Sequence, residues 1–248
     1  FEEVLKSKVS FDFDQDWLEK HLQLRKTWVG ETLSELETKT SGKSWQGGII
    51  HPLQLSVDVM ETMENGSHLV FDGGNTHFWS EISANIIAQR GKNLSTIMHP
   101  GSFSLLGLGV SFAVSLKRIN PQDSVVLISG DGAFLSGGLS IEVAFQEKLP
   151  IVVIIDNNGG LDCISQQQER MFKSGAHFAT DFRDIPFHEM FKGLGGYGEL
   201  VTNRNDIKSA VKRAIDSNKT ACINFKTRGQ ISPIVAATSD KRDKSSIE

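Results

Sequence analysis

Two short apolar runs, each ending in a polar motif, constrain this chain more than any other feature. Ser124-Val-Val-Leu-Ile-Ser129 leads into Gly130-Asp131-Gly132, and 24 residues later Ile151-Val-Val-Ile-Ile155 has led into Asn157-Asn158. Both runs are β-branched and bounded by polar or turn residues, the pattern of strands buried on both faces of a parallel sheet. Parallel neighbours need a crossover. Leu135 to Lys148 reads as that helix, with Leu139, Val143 and Phe145 as its apolar contacts and Leu149-Pro150 at its end. An aspartate and an asparagine then share the C-terminal rim of one sheet, where open α/β sheets hold their ligands.

An aspartate carboxylate and an asparagine amide oxygen, with main-chain carbonyls beside them, form a hard oxygen site for Mg²⁺ or Ca²⁺. Magnesium takes about six oxygens and commonly draws some of them from phosphates. The glycines flanking Asp131 let backbone amides approach such a phosphate. The residues therefore point to a metal-bridged diphosphate; a plain βαβ crossover with two turns is the simpler alternative.

The rest of the chain extends the pattern. Pro52 to Met63 suits a helix, His68-Leu-Val-Phe71 a strand ending at Asp72-Gly73-Gly74-Asn75, and Phe78 to Ala88 a helix. Thr96-Ile97-Met98 suits a short strand and Leu105 to Lys117 a glycine-containing helix. An irregular segment follows Asn158; then come a helix near Phe187 to Lys192, a strand near Glu199 to Thr202, a helix from Asp206 to Ser217 and a strand from Ala221 to Lys226. Such alternation predicts an α/β fold, a parallel sheet with helices on both faces. Upstream, Asp14 to Lys39 reads as one polar helix or a broken pair, with Trp17, Leu18, Leu22, Leu24, Trp28, Leu33 and Leu36 as apolar positions. Thr40-Ser-Gly-Lys-Ser44 and Gly47-Gly48 read as a linker.

Composition excludes several classes. With 248 residues and 39% apolar content the chain can build a real core, and a net charge of -4 gives no sign of nucleic-acid binding. No apolar run approaches the roughly 18 residues of a membrane span, and the first residues, Phe-Glu-Glu-Val-Leu-Lys, do not form a signal peptide. Cys163 and Cys222 are too few for a disulfide framework, so a reduced, cytoplasmic setting is expected. The triplets at Asn65, Asn93 and Asn218 match glycosylation acceptors and are discounted without a secretory route. Gly193-Leu-Gly-Gly-Tyr-Gly198 fits a dinucleotide loop by spelling only: it follows a helix and enters a strand, so it is a helix end and turn.

The run Val114-Ser115, Pro121, Val126, Ile128 and Gly130-Asp131-Gly132-Ala133, followed by Asn157-Asn158, resembles the thiamine-diphosphate signature of the pyruvate-decarboxylase and acetolactate-synthase superfamily. The resemblance implies thiamine diphosphate and Mg²⁺ as cofactors, with Asp131, Asn158 and the carbonyl of Gly160 as protein ligands to the metal. Gly73-Gly74-Asn75-Thr76 would be the diphosphate-contacting loop, its amides and two small polar side chains also capping the next helix. Within Gly101 to Gly109, Ser104 and Leu106 would support the pyrimidine, Leu106 as the wedge beneath the bent cofactor. Gly130, Gly132, Ala133, Leu161, Asp162 and Cys163 complete the implied site, Cys163 lying where the family has an apolar residue. Taken alone, Leu106 is a core leucine, Cys163 a small buried hydrophobe and Asp162 a turn residue. His77 and His99 lie beside cofactor loops and could move protons near neutral pH, with a structural role as the plainer alternative.

The resemblance also implies an organisation. Residues 1–47 would be the tail of a middle domain and its linker, 48–236 the cofactor-diphosphate domain, and 237–248 a polar tail. The activating glutamate would come from a pyrimidine-binding domain on missing N-terminal chain or on a partner, in a homo- or hetero-oligomer. FAD belongs to some members, but no residue in this segment supports it. Gln166, Arg170 and Phe172 resemble acetolactate synthases, which commonly carry a tryptophan where Gln167 stands; Ser136-Gly137, Glu142 and Asn157-Asn-Gly-Gly resemble the oxalyl-CoA decarboxylase and 2-hydroxyacyl-CoA lyase branch. The expected activity is cleavage or formation of a C–C bond on a 2-oxo acid, with an acyl-CoA substrate or a non-catalytic cofactor-binding subunit as alternatives.

Overall fold

The computed structural model describes residues 14–41, 50–172 and 177–236. The chain divides into two compact units, Phe1–Gln46 and Gly47–Glu248. In the first, α1 (Gln15–Ser41) is one unbroken helix. Asp14 caps it, its Oδ1 accepting the Trp17 N–H at 2.9 Å. The helix includes Thr40 and Ser41, which were expected in a linker; the rest of that linker and the tail 237–248 lie outside the described residues.

The second unit is built on a six-stranded, all-parallel sheet in the order β2-β1-β3-β4-β6-β5. The strands are β1 (His68–Asp72), β2 (Thr96–Met98), β3 (Val125–Gly130), β4 (Ile151–Asn157), β5 (Tyr197–Val201) and β6 (Ala221–Lys226). The helices are α2 (Pro52–Thr62), α3 (Asn75–Gln89), α4 (Gly109–Ile119), α5 (Asp131–Gly137), α6 (Glu142–Gln146), α7 (Asp162–Phe172), α8 (Phe187–Gly193) and α9 (Ile207–Asp216). β3 and β4 are uninterrupted in their apolar character because both their faces are covered. On one face Leu127, Val153 and Ile155 pack against Val110 and Ala113 of α4, Phe134 of α5, and Phe187 and Phe191 of α8. On the other, Val126, Ile128 and Ile154 are fully buried, and α3 and α9 lie against the strands with α2 packed on both helices. Among the described residues no helix is long and apolar enough to cross a membrane.

Chain direction across the sheet reverses between β1 and β3, since β1 leads outward to β2 and β3 leads the other way to β4. Such a switch point opens a crevice at the C-terminal rim. The loops after these two strands touch there: a Cβ on Gly73, which has φ +129°, would lie 3.3 Å from Gly130 N.

Several expectations need correction. The crossover after β3 is not one helix over Leu135 to Lys148. It begins at Asp131 and breaks into α5, a 3₁₀ turn (Gly138–Ile141) and α6. The break follows from close passage of two loops, because a Cβ on Gly137 would stand 2.1 Å from the Gly107 carbonyl oxygen. Leu139, expected to face the core, is consequently 82% exposed on that turn. The helix predicted from Leu105 starts only at Gly109, since Ser104 at φ +46° and Gly107 at φ +95° turn the preceding segment into a loop. The segment after Asn158, read as irregular, contains α7.

Candidate functional site

A cleft of about 630 Å³ lies over the switch point, a volume within the range of small-molecule sites. All fifteen residues singled out from the sequence line it: Gly73, Gly74, Asn75, Thr76, Ser104, Leu106, Gly130, Asp131, Gly132, Ala133, Asn158, Gly160, Leu161, Asp162 and Cys163. They come from four loops that the parallel topology carries to one rim.

Asp131, the first residue of α5, is buried. Its Oδ1 accepts the Gly132 N–H at 2.7 Å, and its Oδ2 those of Gly159 and Gly160 at 2.8 and 3.1 Å. A carboxylate offers about four lone-pair positions, so these three amides orient it and leave room for a further partner. Asn158 Oδ1 lies 3.2 Å from the same Gly160 N–H. The segment at Thr180–Phe182 pins Gly160 through an isolated antiparallel bridge to Asp181, Leu161 N–H donating to the Thr180 carbonyl and Phe182 N–H to that of Gly159. The Gly160 carbonyl itself accepts no hydrogen bond among the described residues. Burial pushes the Asp131 carboxyl up to about 7; the charge of Asp156 acts in the same sense, and the Gly159 amide opposes them. Asp156 lies at the end of β4, fully enclosed, accepting hydrogen bonds from the hydroxyls of Thr76 and Thr227. Burial raises its pKa also.

The loop after β1 behaves differently from expectation. Gly74 is the N-cap of α3, with no side-chain cap hydrogen bond. Asn75 is engaged elsewhere: its Nδ2 donates to Asp162 Oδ2 and Gln166 Oε1, each at 3.2 Å, and its Oδ1 accepts the Ser232 N–H. Thr76 gives its proton to Asp156 at 2.8 Å. These two side chains hold the rim together rather than cap the helix, and main-chain amides are left to meet an anion. Asp162, raised by burial, is the first residue of α7 and a bridge to this loop rather than a turn residue.

At the other end, Ser104 and Leu106 sit on the turned segment before α4. His77 and His99 both line the cleft, ring centroids 4.6 Å apart, and Phe71 packs on both. Burial, with His99 adding, lowers His77 to about 4. His99 Nδ1 accepts the Gly101 N–H at 3.1 Å, so a neutral His99 carries its proton on Nε2. Leu161, Cys163 and Ile164 form an apolar wall; burial raises the Cys163 thiol, which favours packing over nucleophilic chemistry. Asp72, Phe78, Glu81, Pro100 and Ile164 also line the cleft and were not assigned from the sequence. Asp72 and Ile164 adjoin residues that were, and adjacency along a rim loop was the available signal. Phe78 and Pro100 likewise adjoin His77 and His99, and Glu81 alone reaches the cleft with no named neighbour in sequence.

The donor set fits a hard divalent cation. Asp131 Oδ2 and Asn158 Oδ1 meet at the Gly160 N–H, and the carbonyl of the same residue accepts no hydrogen bond among the described residues, an all-oxygen set beside glycines that keep amides accessible. Among the described residues no group of three or more His, Cys, Asp or Glu side chains could hold a metal, which leaves this mixed oxygen set as the candidate.

An open parallel sheet with an oxygen-donor corner and a cleft at its switch point defines a cofactor-binding α/β domain. Residues 72–225, more than half of the chain, match the family described as thiamine pyrophosphate enzyme, C-terminal TPP binding domain, and the chain belongs to that family of thiamine-diphosphate-dependent enzymes. The 2-hydroxyacyl-CoA lyase 2 of Homo sapiens is 29% identical over 157 residues, 63% of this chain and 24% of that protein. The acetolactate synthase large subunit IlvG of Mycobacterium tuberculosis is 26% identical over 184 residues, 72% of this chain and 31% of that protein. The solved Rhodococcus jostii RHA1 thiamine diphosphate-dependent 4-hydroxybenzoylformate decarboxylase shares the fold, with a TM-score of 0.60 at 24% identity over 75% of this chain and 34% of that one. The chain thus spans about a quarter to a third of these relatives' lengths.

Proposed function

We propose that this chain supplies the diphosphate- and Mg²⁺-binding half of a C–C lyase or carboligase that acts on a 2-oxo acid, in the manner of the acetolactate synthases. The observation that carries the reading is Asp131: a carboxylate aimed by three backbone amides, sharing its corner with Asn158 and the free carbonyl of Gly160. When bound, thiamine diphosphate supplies the electron sink for making or breaking a bond beside a carbonyl. Asp131, Asn158 and Gly160 would hold the cation, and the amides at Gly73 and Gly74 would meet the diphosphate. Leu106 and the wall of Leu161, Cys163 and Ile164 would shape and dry the ring end.

The complementary pyrimidine-binding domain, with its activating glutamate, would dock over the cleft. Phe103 at 91% exposed and Leu105 and Ile164, also exposed, surround the cleft loops, an apolar rim suited to being covered. A 2-hydroxyacyl-CoA lyase is the second reading, favoured by the similarity to the human enzyme of that name.

Calorimetric titration of thiamine diphosphate into the assembly that includes the complementary domain tests this, with Mg²⁺ and again with EDTA. Binding should require the metal and should weaken in Asp131→Ala by more than the roughly 10- to 100-fold that loss of an outer-shell partner costs. Metal-independent binding, or an unaffected variant, would remove the assignment. Turnover of 2-oxo acids against 2-hydroxyacyl-CoA thioesters then separates the two activities.

A further inference from the structure

His77 and His99 line the cleft together, and the function above gives neither a task. His77 is the third residue of α3 and half-buried, whereas His99 follows β2 and is exposed, so a ligand in the cleft can reach both. Aromatic neighbours hold the two rings. His99 stacks on Phe71, centroids 5.3 Å apart with planes at 4°, and His77 stacks on Phe78 at 5.1 Å with planes at 16°. His99 Nδ1 accepts the Gly101 N–H, which leaves Nε2 as the donor of the neutral ring. Among the described residues that Nε2 and both ring nitrogens of His77 have no hydrogen-bond partner.

The charges around the cleft decide what these nitrogens can serve. Asp72, Glu81, Asp131 and Asp162 line it, and among the described residues no lysine or arginine does. His77 and His99 are therefore its only side chains able to carry positive charge. A 2-oxo acid brings a carboxylate of its own, which the acidic side chains repel. Burial and His99 hold His77 neutral, but a neutral imidazole still donates one N–H, and an N–H on a carboxylate forms a charge-assisted hydrogen bond. The two ring centroids are 4.6 Å apart, close enough for both rings to meet one carboxylate. We propose that His77 and His99 form the carboxylate-binding subsite of the cleft, the Nε2–H of His99 and one N–H of His77 donating to the carboxylate of a 2-oxo acid. The proposal rests on the 2-oxo acid reading and adds to it the residues that select an acid over a neutral ketone or thioester.

Two substitutions separate recognition from packing. His99→Asn keeps an acceptor for the N–H two residues on, as asparagine does in turns, and removes the outer donor. His77→Phe keeps an aromatic ring against Phe71 and Phe78 and removes both nitrogens. The complete assembly is loaded with Mg²⁺ and a thiamine diphosphate analogue whose reactive ring carbon is blocked, so that binding is read without turnover. Pyruvate and benzoylformate are then titrated calorimetrically, each against its primary amide, a neutral ligand of the same shape. The wild type should bind at least one acid about tenfold or more tighter than its amide, the worth of a hydrogen bond to a charged group. His99→Asn and His77→Phe should each bring that ratio close to one and leave affinity for the cofactor analogue within about twofold.

Equal affinity of the wild type for acid and amide overturns the proposal whether or not the variants fold. So does an acid preference kept in full by either variant that melts like the wild type, because the carboxylate would then be held elsewhere in the cleft. A wild type that binds the cofactor analogue but neither acid nor amide removes the 2-oxo acid reading itself and the inference with it; that failure shows before any variant is made.

Discussion

The two rims of the sheet treat buried charge in opposite ways. At the N-terminal rim, His68 is paired with Asp123 at 3.1 Å and the buried Lys117 ammonium donates to the Asp123 carbonyl at 2.7 Å, so acid and base lie together. At the C-terminal rim, Asp72, Asp131, Asp156 and Asp162 all have raised pKa values with burial as the main cause. Their hydrogen bonds come from amides and hydroxyls, and among the described residues none of the four is in a salt bridge. A group of carboxylates held by neutral donors costs stability in the protein alone and becomes favourable when a cation joins it. One rim is organised for folding, the other for a ligand.

The sharpest way to break this comparison is pH. Asp131 has a folded-state pKa of about 7 against an ordinary value of 3.8, so protonation competes with any cation it holds. Mg²⁺-dependent affinity for thiamine diphosphate should fall roughly 50- to 100-fold between pH 7 and pH 5, with about one proton released per cation bound near pH 6. Calorimetry in buffers of different ionisation enthalpy reads that proton, and a flat profile would show that Asp131 does not hold the metal. The same shift has a sign for stability. The raised pKa favours the fold at pH values below 3.8, and that advantage is lost as pH rises through about 7. Without metal, the wild type should therefore lose more melting temperature between pH 5 and pH 8 than Asp131→Asn does, since the fixed cost of turning the amide NH₂ toward one of the three N–H donors does not depend on pH.

A smaller effect probes the close approach at the ligand rim. Gly109→Ala places a Cβ 2.8 Å from both Asp72 Cβ and Leu127 Cδ1. Overpacking of this kind costs about 1–3 kcal/mol, visible as a lower denaturation midpoint, and it should weaken thiamine diphosphate binding more than pyrophosphate binding. An alanine accepted without loss would mean that the loop is not anchored there.

The smallest effect belongs to the other rim. Asp123 is about half exposed, and Lys117 contacts its main chain, which a substitution leaves in place. Asp123→Ala should cost about 0–1 kcal/mol and leave cofactor affinity unchanged. A loss of binding would erase the distinction between the rims.

Much of this was legible in the chain because parallel strands buried on both faces have an unmistakable composition, and because their C-terminal ends must converge. The Gly130-Asp131-Gly132 and Asn157-Asn158 motifs sit at strand ends by simple adjacency, so the placing of a carboxylate and an amide oxygen at one rim could be read without coordinates. Asn75 and Thr76 were placed correctly along the chain and misjudged in orientation, as their partners Asp162, Gln166, Asp156 and Ser232 lie more than 75 residues away. α7 was missed because its apolar positions line the cleft or stand exposed, and among its described residues only Ser165 is buried, so no core-facing stripe marks it.

Local patterning alone determined the α/β class, the parallel strands and the acidic and amide oxygens at one rim, since periodicity and turn chemistry act over a few residues. Tertiary structure decided the broken crossover and the pairing of His77 with His99. It also decided the reach of Asp72, whose carboxylate accepts amides 35 and 37 positions away. Such features depend on how close two loops come in space, and the Gly107 and Gly137 backbones meet only after the sheet has carried β2 and β3, with β1 between them, to one rim.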